Sequence, residues 1–195
     1  MSDLKLFLIA GEMSGDRLGA ALMDGLKAQA SENVSFSGVG GPMMQAAGMS
    51  SLFDMSDLSV MGLFEVLPKI PMLLSRVKTT AAAVIEARPD ALITIDSPDF
   101  CFRVADKVRE ALPDLKVIHY VAPSVWAWRP ERAEKMAKHV DHVLALLPFE
   151  PPYMEAAGMS CDFVGHPVIS EPTPSSADKD TLRHDLKLGV GPIIT

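Results

Sequence analysis

Short apolar runs alternate with amphipathic stretches along most of this chain, and that alternation limits what it can fold into. Leu4–Ala10, Val34–Gly38, Ala91–Ile95, Lys116–Val121, His142–Leu147 and Asp162–Gly165 read as strands. Between them Leu18, Ala21, Leu22, Gly25 and Leu26 recur at helical spacing, as do Ile70, Leu73, Leu74, Val77, Ala81, Val84 and Ile85. Cys101, Val104, Ala105, Val108 and Leu112 mark a further helix stopped at Pro113, and Pro130 opens one with Ala133, Met136, Ala137 and Val140 on a face. Pro71 suits the first turn of the Ile70 helix, and Pro151 and Pro152 suit a short helix that Gly158 can close. Helical connections of this length join parallel strands, so the pattern predicts an α/β fold with a doubly wound parallel sheet.

The composition shifts at Ser170-Glu-Pro-Thr-Pro-Ser-Ser-Ala-Asp178, a linker by its Pro and Ser content. Residues 1–169 therefore read as one domain, and residues 170–195 as a linker and the start of another unit. The latter holds a short helix over Thr181–Leu188 and a strand-like end at Gly191-Pro-Ile-Ile-Thr195. A net charge of −7 argues against a dedicated nucleic-acid binder. Cys101 and Cys161 lie far apart, with neither metal-ligand spacing nor a disulfide framework, which fits a reducing cytosol. The opening apolar run is too short for a signal segment or a membrane span.

In an open parallel sheet, ligands bind outside the carboxyl ends of the strands. Gly11-Glu-Met-Ser-Gly-Asp-Arg-Leu-Gly19 follows the first strand and is neither a dinucleotide nor a P-loop pattern. Glu12 and Asp16 complement the helix dipole themselves and would repel a phosphate. With Ser14 they suit sugar hydroxyls, or they simply cap a helix start. Gly38-Val-Gly-Gly-Pro-Met43 lacks the third glycine of the dinucleotide pattern and reads rather as a plain turn. Asp96 ends a buried run, where partial desolvation raises a carboxylate's proton affinity and makes it a better base. A structural acid accepting backbone N–H groups is the other reading, and Asp99 is expected to cap the next helix.

Val117-Ile-His-Tyr-Val-Ala-Pro-Ser-Val-Trp-Ala-Trp-Arg129 gathers both tryptophans, a Ser and an Arg where a strand breaks into a loop. It reads as a ligand wall or as a cover for the sheet edge. His119 fits a satisfied core histidine, and His166 borders the linker and could face an interdomain cleft. Leu58–Leu74 is strongly apolar but interrupted by Glu65, Lys69, Pro68 and Pro71, so it does not span a bilayer. It could lie at a membrane surface, form an acyl-chain groove or pack in the core. There is no nucleophile elbow and no zinc-binding H-E-x-x-H motif.

Ala10-Gly-Glu-Met-Ser-Gly-Asp16, Gly38-Val-Gly-Gly-Pro42 with Gly48, Val60-Met-Gly62 with Glu65-Val66, Ile95-Asp-Ser-Pro-Asp-Phe100, His119-Tyr-Val-Ala-Pro-Ser-Val-Trp-Ala-Trp-Arg129, Leu147-Pro-Phe-Glu150 and Phe163-Val-Gly-His166 together resemble the lipid-A-disaccharide synthase family. The resemblance runs from about residue 6 to the linker. It implies the Rossmann-like acceptor-side half of a two-domain, GT-B-type inverting glycosyltransferase, with a nucleotide-binding domain beginning after the linker. The implied reaction joins UDP-2,3-diacylglucosamine to the 6-hydroxyl of 2,3-diacylglucosamine 1-phosphate, at the cytoplasmic face of the inner membrane, with no metal and no cofactor. Asp96 matches the family's essential acid and would be the general base. Gly11, Glu12, Ser14, Gly15, Asp16, Ser124, Trp126, Trp128 and Arg129 would shape the sugar pocket. Val60, Met61, Leu63, Phe64, Val66 and Leu67 would meet acyl chains or peripheral membrane lipid. Many members carry Asn where this chain has Cys101. Alone, such a half is expected to transfer no sugar and to self-associate through its uncovered interdomain face. A noncatalytic lipid or sugar-phosphate binding module, or a UDP-sugar transferase with a soluble acceptor, would use the same grooves.

Overall fold

The computed structural model describes residues 3–31, 33–59, 63–170, 173, 175–189 and 191. Strands β1 (Leu4–Ala10), β2 (Val34–Val39), β3 (Ser50–Ser51), β4 (Ala91–Ile95), β5 (Lys116–Tyr120), β6 (His142–Ala145) and β7 (Ser160–Phe163) alternate with helices α1 (Met13–Gln29), α2 (Pro42–Ala46), α3 (Leu63–Ala87), α4 (Pro98–Ala111), α5 (Glu131–Met136) and α6 (Pro151–Ala156). A last helix, α7 (Ser176–Asp185), comes after the linker. The strands form one parallel sheet in the order β3-β2-β1-β4-β5-β6-β7. This is the doubly wound, Rossmann-like arrangement expected from the strand–helix alternation. The chain runs outward from β1 to one edge, returns through α3, and runs outward from β4 to the other.

Side chains alternate along β1, and the two faces build separate cores. Phe7 and Ile9 join Leu92, Val117 and Val143 beneath α3, α4, α5 and α6, which contribute Val84, Val104, Met136 and Met154. Leu6, Leu8 and Ala10 face the other way, against Leu18 and Met23 of α1 and Met44 of α2. Among the described residues, α1 and α2 cover that second face. Beyond them a groove of about 310 Å³ opens over β5 and β6, lined by Leu22, Leu26, Tyr120, Leu144, His166 and Ile169.

The structure departs from the sequence expectations at α2 and β3, which the pattern does not show, at β7, which covers Ser160–Phe163 rather than Asp162–Gly165, and in four further places. The buried face of α1 is Gly15, Asp16, Leu18, Gly19, Ala20 and Met23, with Leu22 and Leu26 only partly buried at its margin. Small residues let the helix lie against the sheet, and Leu22 and Leu26 turn toward the groove. Helix α3 starts at Leu63, well before Ile70, and keeps Pro68 and Pro71 inside it. Residues 67–71 are exposed, so water can satisfy the carbonyls the prolines leave free. Helix α7 begins at Ser176, not Thr181, because Ser175 and Asp178 form a capping box. Asp99 does not cap α4: Ser97 occupies the N-cap without a side-chain bond, and Asp99 lies in the first turn, where its charge complements the dipole.

Candidate active site

β1 and β4 are neighbours whose helices leave toward opposite faces, so their carboxyl ends part into a crevice. Their register pairs Ala10 with Ile95, which sets Gly11-Glu12 beside Asp96-Ser97. Gly11 permits this approach, since a Cβ there would lie 2.4 Å from Ser97 Oγ. The Ser59 hydroxyl donates to the Gly11 carbonyl at 2.9 Å and ties the turn to the chain before α3. Asp96 and Ser97 both adopt left-handed backbone, with φ of 51° and 45°. Each costs on the order of 1–3 kcal/mol, and the surroundings hold them there. The Asp96 N–H donates to the Tyr120 carbonyl at 3.1 Å, and Asp96 Oδ1 accepts the Ser97 N–H at 2.9 Å. The carboxylate is half-buried at the strand end, with a path to solvent.

Glu12 meets it. A hydrogen bond to the Asp96 side chain raises the Glu12 pKa above its ordinary value, helped by burial and by the Asp96 charge, while a hydrogen bond with Ser14 opposes the rise. Behind Asp96, the His119 ring bonds Thr94 Oγ1 at 2.7 Å through Nδ1. Burial pushes its pKa down to about 4 against the pull of Asp96, so it stays neutral near neutral pH. The Cys101 thiol is also buried, and burial raises its pKa. Two uncharged groups therefore back the carboxylate, and His119 is a satisfied core histidine.

The remaining sequence-selected residues divide. Glu12 and Ser14 are exposed at the crevice. Asp16 turns inward at 3% exposure and accepts the N–H groups of Gly41, Met43 and Met44 at 2.9, 2.9 and 3.0 Å. It caps α2 from α1 and offers no oxygen to a sugar. Gly15 is buried, and a Cβ there would come 3.3 Å from Ala10 Cβ. Its place is against the sheet, outside the pocket wall. Ser124, Trp126, Trp128 and Arg129 lie on the loop after β5, next to the β4 turn along the same edge, with the two tryptophans and the arginine exposed. Arg129 stacks 4.1 Å over the Trp128 ring, and Trp126 meets Phe149 edge-on at 5.2 Å. Val60 and Met61 lie outside the described residues, and Leu63, Phe64 and Val66 fall in the first turn of α3. Leu67 is 53% exposed.

Beside Asp96-Ser97 an apolar cleft of about 640 Å³ runs between α3 and α4, lined by Leu58, Ile70, Leu74, Val77, Phe100 and Arg103 among others. Sequence reading missed Ser97, Ser59, Phe149 and Arg103, which gain meaning only from packing. The Asp-Ser-Pro run offered a partial signal, since a residue before proline is kept out of right-handed helix. Among the described residues no cluster of His, Cys, Asp or Glu is arranged to hold a metal ion, and no helix is long and apolar enough to cross a membrane.

Residues 6–190 match the family model described as lipid-A-disaccharide synthetase. The chain belongs to that family. It is 61% identical over 191 residues to the lipid-A-disaccharide synthase of Ruegeria pomeroyi, covering 98% of this chain and 47% of that protein. It is 54% identical over 196 residues to that of Rhodospirillum centenum, covering 100% of this chain and 48% of that protein. This member of the synthase family thus spans about half the length of the curated relatives it matches. In fold it resembles the UDP-GlcNAc 2-epimerase from Neisseria meningitidis bound to UDP-GlcNAc, with TM-score 0.59 at 11% identity over 96% of this chain and 53% of that one. It also resembles Acinetobacter baumannii MurG, with TM-score 0.51 at 10% identity over 89% and 47%.

Proposed function

We propose that this chain is the acceptor-side domain of a lipid-A-disaccharide synthase, and that Asp96 is its general base. The observation that carries the reading is a half-buried carboxylate at the β1/β4 switch point of a chain matched by this family's model. The donor is UDP-2,3-diacylglucosamine and the acceptor is 2,3-diacylglucosamine 1-phosphate. Asp96 removes the proton from the acceptor 6-hydroxyl as that oxygen attacks the donor's anomeric carbon from the face opposite UDP. The transition state has oxocarbenium character, and a carboxylate at the attacking side stabilises it. No cofactor is required. Ser14, Ser124 and the Trp126–Arg129 segment line the sugar pocket, and Glu12 stands beside Asp96 at its edge. Residues 170–195 are the linker and beginning of a second domain that holds the nucleotide.

Leu67, Ile70 and Leu74 are exposed on the half of α3 that borders the apolar cleft. They suit an acyl chain or the surface of the inner membrane, which the protein meets peripherally from the cytoplasm. The groove over β5 and β6 faces the second domain, and residues 1–195 alone self-associate through it, which sedimentation of that fragment checks.

The test replaces Asp96 with Asn in the full-length protein and measures transfer between both lipid substrates in mixed micelles. Loss of a general base lowers kcat by about 10²–10⁴-fold. Turnover within a few-fold of the parent would leave a lipid-binding module as the better reading. Full activity on an acceptor without acyl chains would indicate a transferase for soluble sugars.

A further inference from the structure

We propose that Glu12 is the positioning partner of Asp96: the two carboxyl groups act as one base, and the proton taken from the acceptor hydroxyl is held between them. The pairing rests on Asp96 being the general base and adds a second acid to it.

The backbone holds the two acids together. Glu12 and Asp96 come just after the paired residues Ala10 and Ile95 of adjacent strands. The bare Gly11 lets its turn lie against Ser97, and the left-handed pair Asp96-Ser97 fixes the other side. The side chains come close enough to share a proton, although Glu12 remains exposed to solvent and Asp96 is half-buried.

Two carboxylates in contact repel, and that repulsion is relieved when the pair binds one proton. The described groups around the pair are mostly neutral or acidic. From β5, His119 is neutral near neutral pH; from α4 come the buried Cys101 thiol and the acidic Asp99 in the first turn. From α1, Asp16 is turned onto the amides of α2, and Arg17 has interactions of its own. Arg103 lines the cleft further along α4. A lone aspartate is a weak base toward a sugar hydroxyl, and general-base efficiency rises as the base's proton affinity approaches the working pH. Two carboxyls that share one proton bind it more tightly than either would alone, and the rise belongs to the pair.

The step balances. The acceptor O–H bond breaks and its proton forms an O–H bond on Asp96, hydrogen-bonded to Glu12, taking the pair from two negative charges to one. The electron pair left on the acceptor oxygen forms the bond to the anomeric carbon. The bond from that carbon to the UDP oxygen breaks, and UDP leaves with its electrons. Glu12, facing water, then passes the proton to solvent.

The experiment compares pH–rate profiles of the full-length protein with its E12Q, E12A, E12D and D96N variants, using both lipid substrates in mixed micelles. Removing the Glu12 charge is expected to lower kcat roughly tenfold or more at neutral pH. It should also move the acid limb about one pH unit lower, because the two carboxyls no longer share a proton. KM for both substrates should stay within about threefold, as expected for a group acting on the chemical step. E12D should recover part of the limb. An E12Q or E12A profile superimposable on the parent overturns the inference, and so does a rise in KM with kcat unchanged, which would make Glu12 a sugar contact. An inactive D96N beside an unaltered E12Q removes the pairing alone, whereas an active D96N removes the assignment of Asp96 itself.

Discussion

Asp16 and Asp96 stand near the carboxyl ends of β1 and β4 and meet opposite surroundings. Asp16 faces inward, and its oxygens are saturated by three backbone N–H groups of α2 and the residue before it. Asp96 accepts the N–H of the next residue and keeps a path to solvent, with another acid beside it. The difference arises from where each falls in its turn. Asp16 is already inside α1, on the side packed to the sheet, while Asp96 precedes α4 on a left-handed bend. A buried carboxylate with all its partners serves stability, and one with open lone pairs is free for chemistry.

The sharpest way to break this comparison is to remove each acid from the full-length protein. Asp96→Asn should cost about three orders of magnitude in kcat, or ~4 kcal/mol, while the thermal midpoint moves little. Asp16→Ala should do the reverse. It leaves the buried N–H groups of Gly41 and Met44 without an acceptor, costing about 3 kcal/mol in urea unfolding. An Asp16→Ala protein as stable as the parent but inactive would invert the assignment.

His119 offers a finer test, as a buried polar group just behind Asp96. Its folded pKa lies below the unfolded value, so its neutral form contributes stability that is complete above about pH 6.5. Stability is lost as pH falls toward the folded value of about 4. Between pH 6.5 and 5 the loss should be about 2 kcal/mol. His119→Asn should flatten that part of the stability–pH curve in chemical denaturation; an unchanged slope would show that other groups set it. The smallest effect belongs to Gly11→Ala. The added Cβ would crowd Ser97 Oγ at 2.4 Å, and the displaced turn should lower kcat about tenfold by misplacing Asp96. Unaltered turnover would show that the crevice tolerates more play than its packing suggests.

Sequence patterning was enough for six strands and the parallel, doubly wound class, because buried parallel strands are continuous apolar runs flanked by turn residues; the two-residue β3 carries no such run. Patterning found α1 but not that Gly15, Asp16, Gly19 and Ala20 share the buried face with Leu18 and Met23. It also began α3 only at the prolines, which an exposed helix accommodates. Asp96 was legible as an acid at the end of an apolar run. Its pairing with Glu12 was not, because nothing in residues 12 and 96 says that β1 and β4 are neighbours; that fact belongs to the sheet order. The inward turn of Asp16 was hidden for the same reason, since its partners lie in another helix.

Gly19 of α1 governs the site through the side chain it lacks. A methyl group there would press on Met44 Sδ at 2.5 Å and Ile95 Cδ1 at 2.9 Å. The helix can therefore be seated at this depth only while that position stays bare, and the start of α1 carries Glu12 with it. Enlarging this distant, buried spot would lift one jaw of the crevice away from the other, so residues that never meet a substrate still set its aperture.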